Sequence, residues 1–117
     1  MTRLAQLQLE DENGITIASV EGEIDLSNAS ELEVAISHAV GNEAVGLVVD
    51  LADVDYLDSS GVTLLFNLAR RVARRQQELV VVVPGGAHVR EILTLSGATG
   101  ALELRDSLPE ALAQLRR

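Results

Sequence analysis

The chain has 117 residues, 47% of them hydrophobic, a formal net charge of −9 and no cysteine. That length fits one globular domain over residues 1–117, burying roughly 65% of its unfolded surface; the lack of cysteine excludes a disulfide framework and a thiolate metal site, and Tyr56 and Phe66 as the only aromatic residues disfavour stacking on single-stranded nucleic acid. Residues 1–60 hold thirteen acids and one Arg, whereas residues 61–117 hold five acids and eight Arg, so the front half suits a partner with a basic face rather than nucleic acid or an anionic membrane.

Leu7 and Leu9 alternate with Gln6 and Gln8, and Ile15-Thr16-Ile17 resumes the alternation after Asp11-Glu12-Asn13-Gly14. Asn-Gly between two alternating runs predicts a hairpin, because both residues accept positive φ; residues 3–10 and 14–21 are expected to pair antiparallel. The phase changes at Ala18 and Val20, which a bulge or burial on both faces would explain. Gly22 to Asn28 leads into a helix capped by Ser27 or Asn28, with Glu31 and Glu33 well placed in its early turns. Ala29, Leu32, Ile36, Ala39 and Val40 share its predicted inner face, and Gly41 is placed to end it. Glu23 and Asp25 lie in a strand's exit loop, where an acid is either solvated or meets a ligand.

Leu47-Val48-Val49 predicts a strand covered on both faces, as in a mainly parallel sheet. An acidic loop containing Asp50, Asp53 and Asp55 then leads to Asp58-Ser59-Ser60-Gly61 and a helix. Val62, Leu65, Phe66, Ala69, Val72 and Ala73 are its expected inner positions, with Arg70, Arg71, Arg74 and Arg75 on the polar face. Asp58 or Ser59 can cap the first turn. A serine at a positive helix end on an acidic surface is also placed to carry a phosphate that the dipole tolerates and an incoming partner does not.

Leu79 to Val83 predicts another buried strand, stopped by Pro84-Gly85-Gly86. A helix follows with Val89, Ile92 and Leu93 inward and Gly97 beyond its end. Leu102 and Leu104 suggest a short edge strand, and Ser107-Leu108-Pro109-Glu110 is a capping box for a last helix carrying Leu108, Ala111, Leu112 and Leu115. The order β-β-α-β-α-β-α-β-α implies an α/β domain with a mixed, mostly parallel sheet of about four or five strands and about four helices packed on it.

Catalytic patterns are missing. His38 and His88 sit in predicted helices outside any motif, and no Gly-x-Ser-x-Gly elbow surrounds Ser59. Pro84-Gly85-Gly86 lacks the spacing and lysine of a nucleotide loop. Asp50, Asp53, Asp55 and Asp58 follow one segment rather than several strand ends, so no metal site is expected. No enzyme activity and no cofactor are predicted. The chain begins without a signal pattern and holds no apolar run near ~18 residues, so the expected location is the cytoplasm.

Three stretches together, Gly22-Glu23-Ile24-Asp25, Tyr56-Leu57-Asp58-Ser59-Ser60-Gly61 and Val89-Arg90-Glu91-Ile92-Leu93-Thr94-Leu95-Ser96-Gly97, resemble the STAS domain family, specifically the bacterial anti-sigma factor antagonists. The match runs over residues 5–115. The resemblance implies partner switching: the unphosphorylated protein binds an anti-sigma factor that is also a serine kinase, freeing the sigma factor. Phosphorylation on Ser59 weakens that complex, and a PP2C-type phosphatase resets it. Asp58, Ser60 and Gly61 would frame the acceptor, with Glu23 and Asp25 on the neighbouring contact surface. Thr63 departs from the pattern, since many relatives carry a second glycine there. The alternative within the same family is a regulatory or scaffold subunit of a larger assembly, such as a stress complex or a lipid-transport complex.

Overall fold

The computed structural model describes residues 5–116. Among them it holds five strands, four α-helices and one 3-10 turn, in the predicted order. Strands β1 (Gln6–Glu12) and β2 (Ile15–Ile24) form the hairpin, Glu12 facing Ile15 across the turn. Asn13 at φ 51° and Gly14 at φ 87° both occupy the left-handed region, as a two-residue hairpin turn requires. The predicted strand residues Arg3 and Leu4 lie outside the described residues.

The sheet runs β1-β2-β3-β4-β5, with β3 Gly46–Leu57, β4 Glu78–Val82 and β5 Glu103–Arg105. Its first pair is antiparallel and the other three are parallel. Helices α1 (Ala29–Ala39), α2 (Ser59–Ala73) and α3 (His88–Leu95) cover one face, and α4 (Leu108–Leu115) alone covers part of the other. That division explains the sequence patterns. Leu47, Val49, Leu79 and Val81 pack in the layer under α1 to α3, whereas Ile15, Ile17, Val48, Val80 and Val82 pack under α4. In β2 the phase change is therefore burial on both faces, since Ala18, Val20 and Ile24 belong to the first layer. Bulges are present as well, in the β2–β3 pairing between Ser19 and Glu21 and between Gly22 and Glu23.

Those bulges correct one expectation. Residues 50–57 are not a loop but the second half of β3. Each irregularity inserts one extra β3 residue against β2: Ser19 pairs with Asp50 but Glu21 with Asp53, and Gly22 with Val54 but Glu23 with Tyr56. An extra residue reverses which face the next side chain takes. As a result Leu51, Val54 and Leu57 turn inward at three-residue spacing, while Asp53 and Asp55 stay exposed. Gly22, at φ 104°, supplies the backbone freedom β2 needs at the second irregularity.

Three smaller expectations also change. In α2 the buried line is Gly61, Leu64, Leu65, Leu68 and Val72; Val62, Phe66 and Ala69 are half-buried and Ala73 is exposed. The helix is rotated from the predicted face because its N-terminus is fixed against Ile24 and Leu57. Ala39 is exposed, and α1 ends in an extended Val40, with Arg75 and Gln77 donating to the Val40 and Gly41 carbonyls; no left-handed Gly41 terminates it. Neither Ser27 nor Asn28 caps α1 by its side chain, for a reason that belongs to the site.

Candidate functional site

Parallel pairing of β2 with β3 sets Glu23 beside Tyr56 and Ile24 beside Leu57, and the Asp58 N–H donates to the Ile24 carbonyl. The two strand exits, Glu23 to Asn28 and Asp58 to Gly61, therefore lie side by side at one end of the sheet. All six predicted site residues fall there.

Asp58 is the N-cap of α2, its carboxylate accepting from the Ser60 N–H at 2.8 Å. This settles the choice between Asp58 and Ser59 as cap. Ser59 then becomes the first helical residue, exposed, with a hydroxyl that makes no hydrogen bond among the described residues. Ser60 is half-buried and Gly61 is buried. A Cβ at Gly61 would lie 2.9 Å from the Leu57 Cβ and 3.2 Å from the Ile24 Cγ2. Glycine here lets the first turn of α2 lie against both strand ends, so that Ser59, two residues or about 200° around the helix, faces outward.

The neighbouring exit is held from within. Asn28, 4% exposed, accepts from the Asp25 N–H at 3.0 Å and donates to the Glu23 carbonyl at 2.9 Å. Its side chain is spent tying the strand exit closed, which is why it does not cap α1. Asp25, half-buried, accepts from the Ser27 N–H at 2.9 Å and from the Ser27 hydroxyl, while its carbonyl receives the Asn28 and Ala29 N–H groups. Glu23 is exposed, without an ion-pair partner among the described residues.

Ser59 stands on a ridge between two depressions, shared with Thr63 one turn further on. One, of about 260 Å³, lies toward α1 and includes Leu26, Ser30, Glu33 and Asn67; Asn67 donates to Glu33, which also meets Arg71. The other, of about 460 Å³, lies toward α3 and is lined by Tyr56, Val62, Phe66, Ile92 and Ser96 with Asp58. No histidine lines either. Thr63 is exposed, so its side chain reaches this surface rather than crowding a backbone contact. A larger depression, of about 800 Å³, lies between the hairpin and the segment after α1 and contains none of the predicted site residues.

The sequence reading missed the apolar part of this surface. Leu26, 82% exposed, and Tyr56, 43% exposed, line the two depressions that share Ser59. The signal was present in weak form. Leu26 sits in a polar loop off any stripe, and Tyr56 follows a run of acids.

Among the described residues no group of three or more His, Asp or Glu is placed to hold a metal ion, and no helix is long and apolar enough to cross a membrane.

The model of the STAS domain family matches residues 6–111. The anti-sigma-F factor antagonist RsfB of Mycobacterium tuberculosis is 34% identical over 106 residues, covering 91% of this chain and 85% of RsfB. Among solved structures, an anti-sigma factor antagonist from Mycobacterium paratuberculosis superposes with a TM-score of 0.86 at 32% identity, covering 97% of this chain and 95% of that one. The Bacillus cell fate determinant SpoIIAA in its phosphorylated form shares the fold, with a TM-score of 0.66 at 18% identity over 94% of this chain and 99% of that one.

Proposed function

The chain belongs to the STAS domain family, and from that premise we propose that it is an anti-sigma factor antagonist, a cytoplasmic binding protein rather than an enzyme, switched by phosphorylation of Ser59. In this reading the unmodified protein binds an anti-sigma factor that is a serine kinase, and the sigma factor is released. Modification of Ser59 ends the complex, and a PP2C-type phosphatase restores it. Relatives named as antagonists at about a third identity over nearly the whole chain support the role.

The observation that carries the switch is the free, exposed Ser59 hydroxyl at the first position of α2. A kinase can reach it without any unfolding. A phosphate adds about −1.5 to −2 charge beside Asp58 and near Glu23 and Asp25. Desolvating that dianion against a surface shaped for a neutral hydroxyl is unfavourable by several kcal/mol when it finds no partner, enough to change affinity by orders of magnitude. Asp58, Ser60 and Gly61 position the acceptor, and Glu23 and Asp25 extend the contact surface.

The test is incubation with a purified anti-sigma kinase from the same genome and ATP. Label is expected on the wild type and absent from Ser59→Ala; equal labelling of the two would remove Ser59 as the acceptor. With the same kinase, calorimetry is expected to show at least a tenfold loss of affinity for Ser59→Asp, and unchanged affinity would count against the electrostatic switch.

A further inference from the structure

Of the two depressions that share Ser59, the one toward α3 is walled mainly by carbon, through Tyr56, Val62, Phe66 and Ile92. Its origin is topological. β4 pairs with β3 only as far as Asp50, β3 runs on to Leu57, and α3 packs beside that unpaired edge without filling it. Apolar surface left open beside a modifiable hydroxyl is the composition of a docking site rather than of a folding core.

Asp58 is the one charged residue of its lining, and no Arg is among the lining residues. Asp55 and Glu91, both exposed, adjoin the lining residues Tyr56 and Ile92 in the chain, and Arg70, one turn after Phe66, donates to Asn67 of the other depression. Arg90, the cation nearest in α3's sequence, is held elsewhere by Asp106 and the Val83 carbonyl.

We infer, building on the reading of the chain as an anti-sigma factor antagonist, that this depression receives one apolar side chain of the anti-sigma partner, presented between basic residues. The apolar group fills the space beside the Ser59 hydroxyl, and the basic neighbours meet the acidic rim. Docking and phosphorylation then exclude each other for a local reason. A phosphate on that wall either loses its water to an apolar neighbour or keeps it by expelling the anchor.

The test uses the full ¹⁵N-labelled chain and three probes. Acetyl-Arg-Leu-Arg-amide is expected to give saturable amide shifts at Val62, Phe66, Ile92 and Ser96, and acetyl-Arg-Ser-Arg-amide, which keeps the charge but lacks the anchor, is not. Thr63→Phe, at an exposed position, fills the depression with its own ring and is expected to lose those shifts while keeping a folded spectrum. Equal responses to the two peptides, or shifts that survive in Thr63→Phe, overturn the inference. Shifts of the same amides on concentrating the free protein would assign the depression to a second copy, and shifts with decanoate but not with the leucine peptide would assign it to an acyl chain; either overturns it. No kinase enters these measurements, so their failure leaves the labelling of Ser59 standing, and failed labelling leaves the peptide result standing.

Discussion

Gly61 is required for space rather than for backbone freedom. Alanine is favoured over glycine in a helix by about 1 kcal/mol, yet the new Cβ would lie 2.9 Å from the Leu57 Cβ, an atom fixed to its own backbone and unable to swing away. Overpacking of this kind costs about 1–3 kcal/mol, so the steric term wins. Gly61→Ala is expected to lower stability by about 1 kcal/mol net in urea unfolding; a midpoint equal to wild type would show slack at the corner of β3 and α2. The Asp-Ser-Ser-Gly string stood out in the sequence because the cap Asp58, the exposed Ser59 and the small Gly61 are neighbours in the chain. Asn28 was not, because its two partners, the Asp25 N–H and the Glu23 carbonyl, become visible only once the strand exit has folded back.

At the scale of elements, periodicity with turn and cap signals identified the five strands and four α-helices but not the 3-10 turn Ala98–Gly100, and failed where two irregularities change the period. The bulges in β3 convert residues 50–57 from what reads as an acidic loop into a strand that buries every third residue. They are visible only through pairing with β2. Helix α4 is a simpler case. It has eight residues, covers its sheet face without another helix, and starts at Ser107, whose hydroxyl accepts from the Glu110 N–H and donates to the Glu110 carboxylate at 3.0 Å. A helix this short depends on its cap and on tertiary packing. Ser107→Ala is expected to cost about 1 kcal/mol by urea unfolding, and no change would mean that Ala111, Leu112 and Leu115 alone fix the helix.

For the molecule as a whole, switching by a surface charge predicts that the fold stays as it is. Ser59 is already in water at a helix N-terminus, where negative charge is favoured by a few tenths of a kcal/mol to about 1 kcal/mol. Nothing buried has to move. Ser59→Asp is therefore expected to stay within about 0.5 kcal/mol of wild type in urea unfolding, even as its affinity for the kinase falls. A loss above about 2 kcal/mol would instead indicate switching through destabilisation.

The sequence by itself determined the α/β class, the order of elements, the hairpin turn and the start of α2 at Asp58 to Gly61, because each rests on neighbours within a few residues of one another. Only the tertiary structure decided that β3 continues past Asp50, that α2 is rotated onto Leu64 and Leu68, and that Leu26, Tyr56 and Ile92 gather around one serine. Those outcomes depend on strand pairing and on helices meeting over a sheet. Residues dozens of positions apart then share a surface, and no local pattern encodes their meeting.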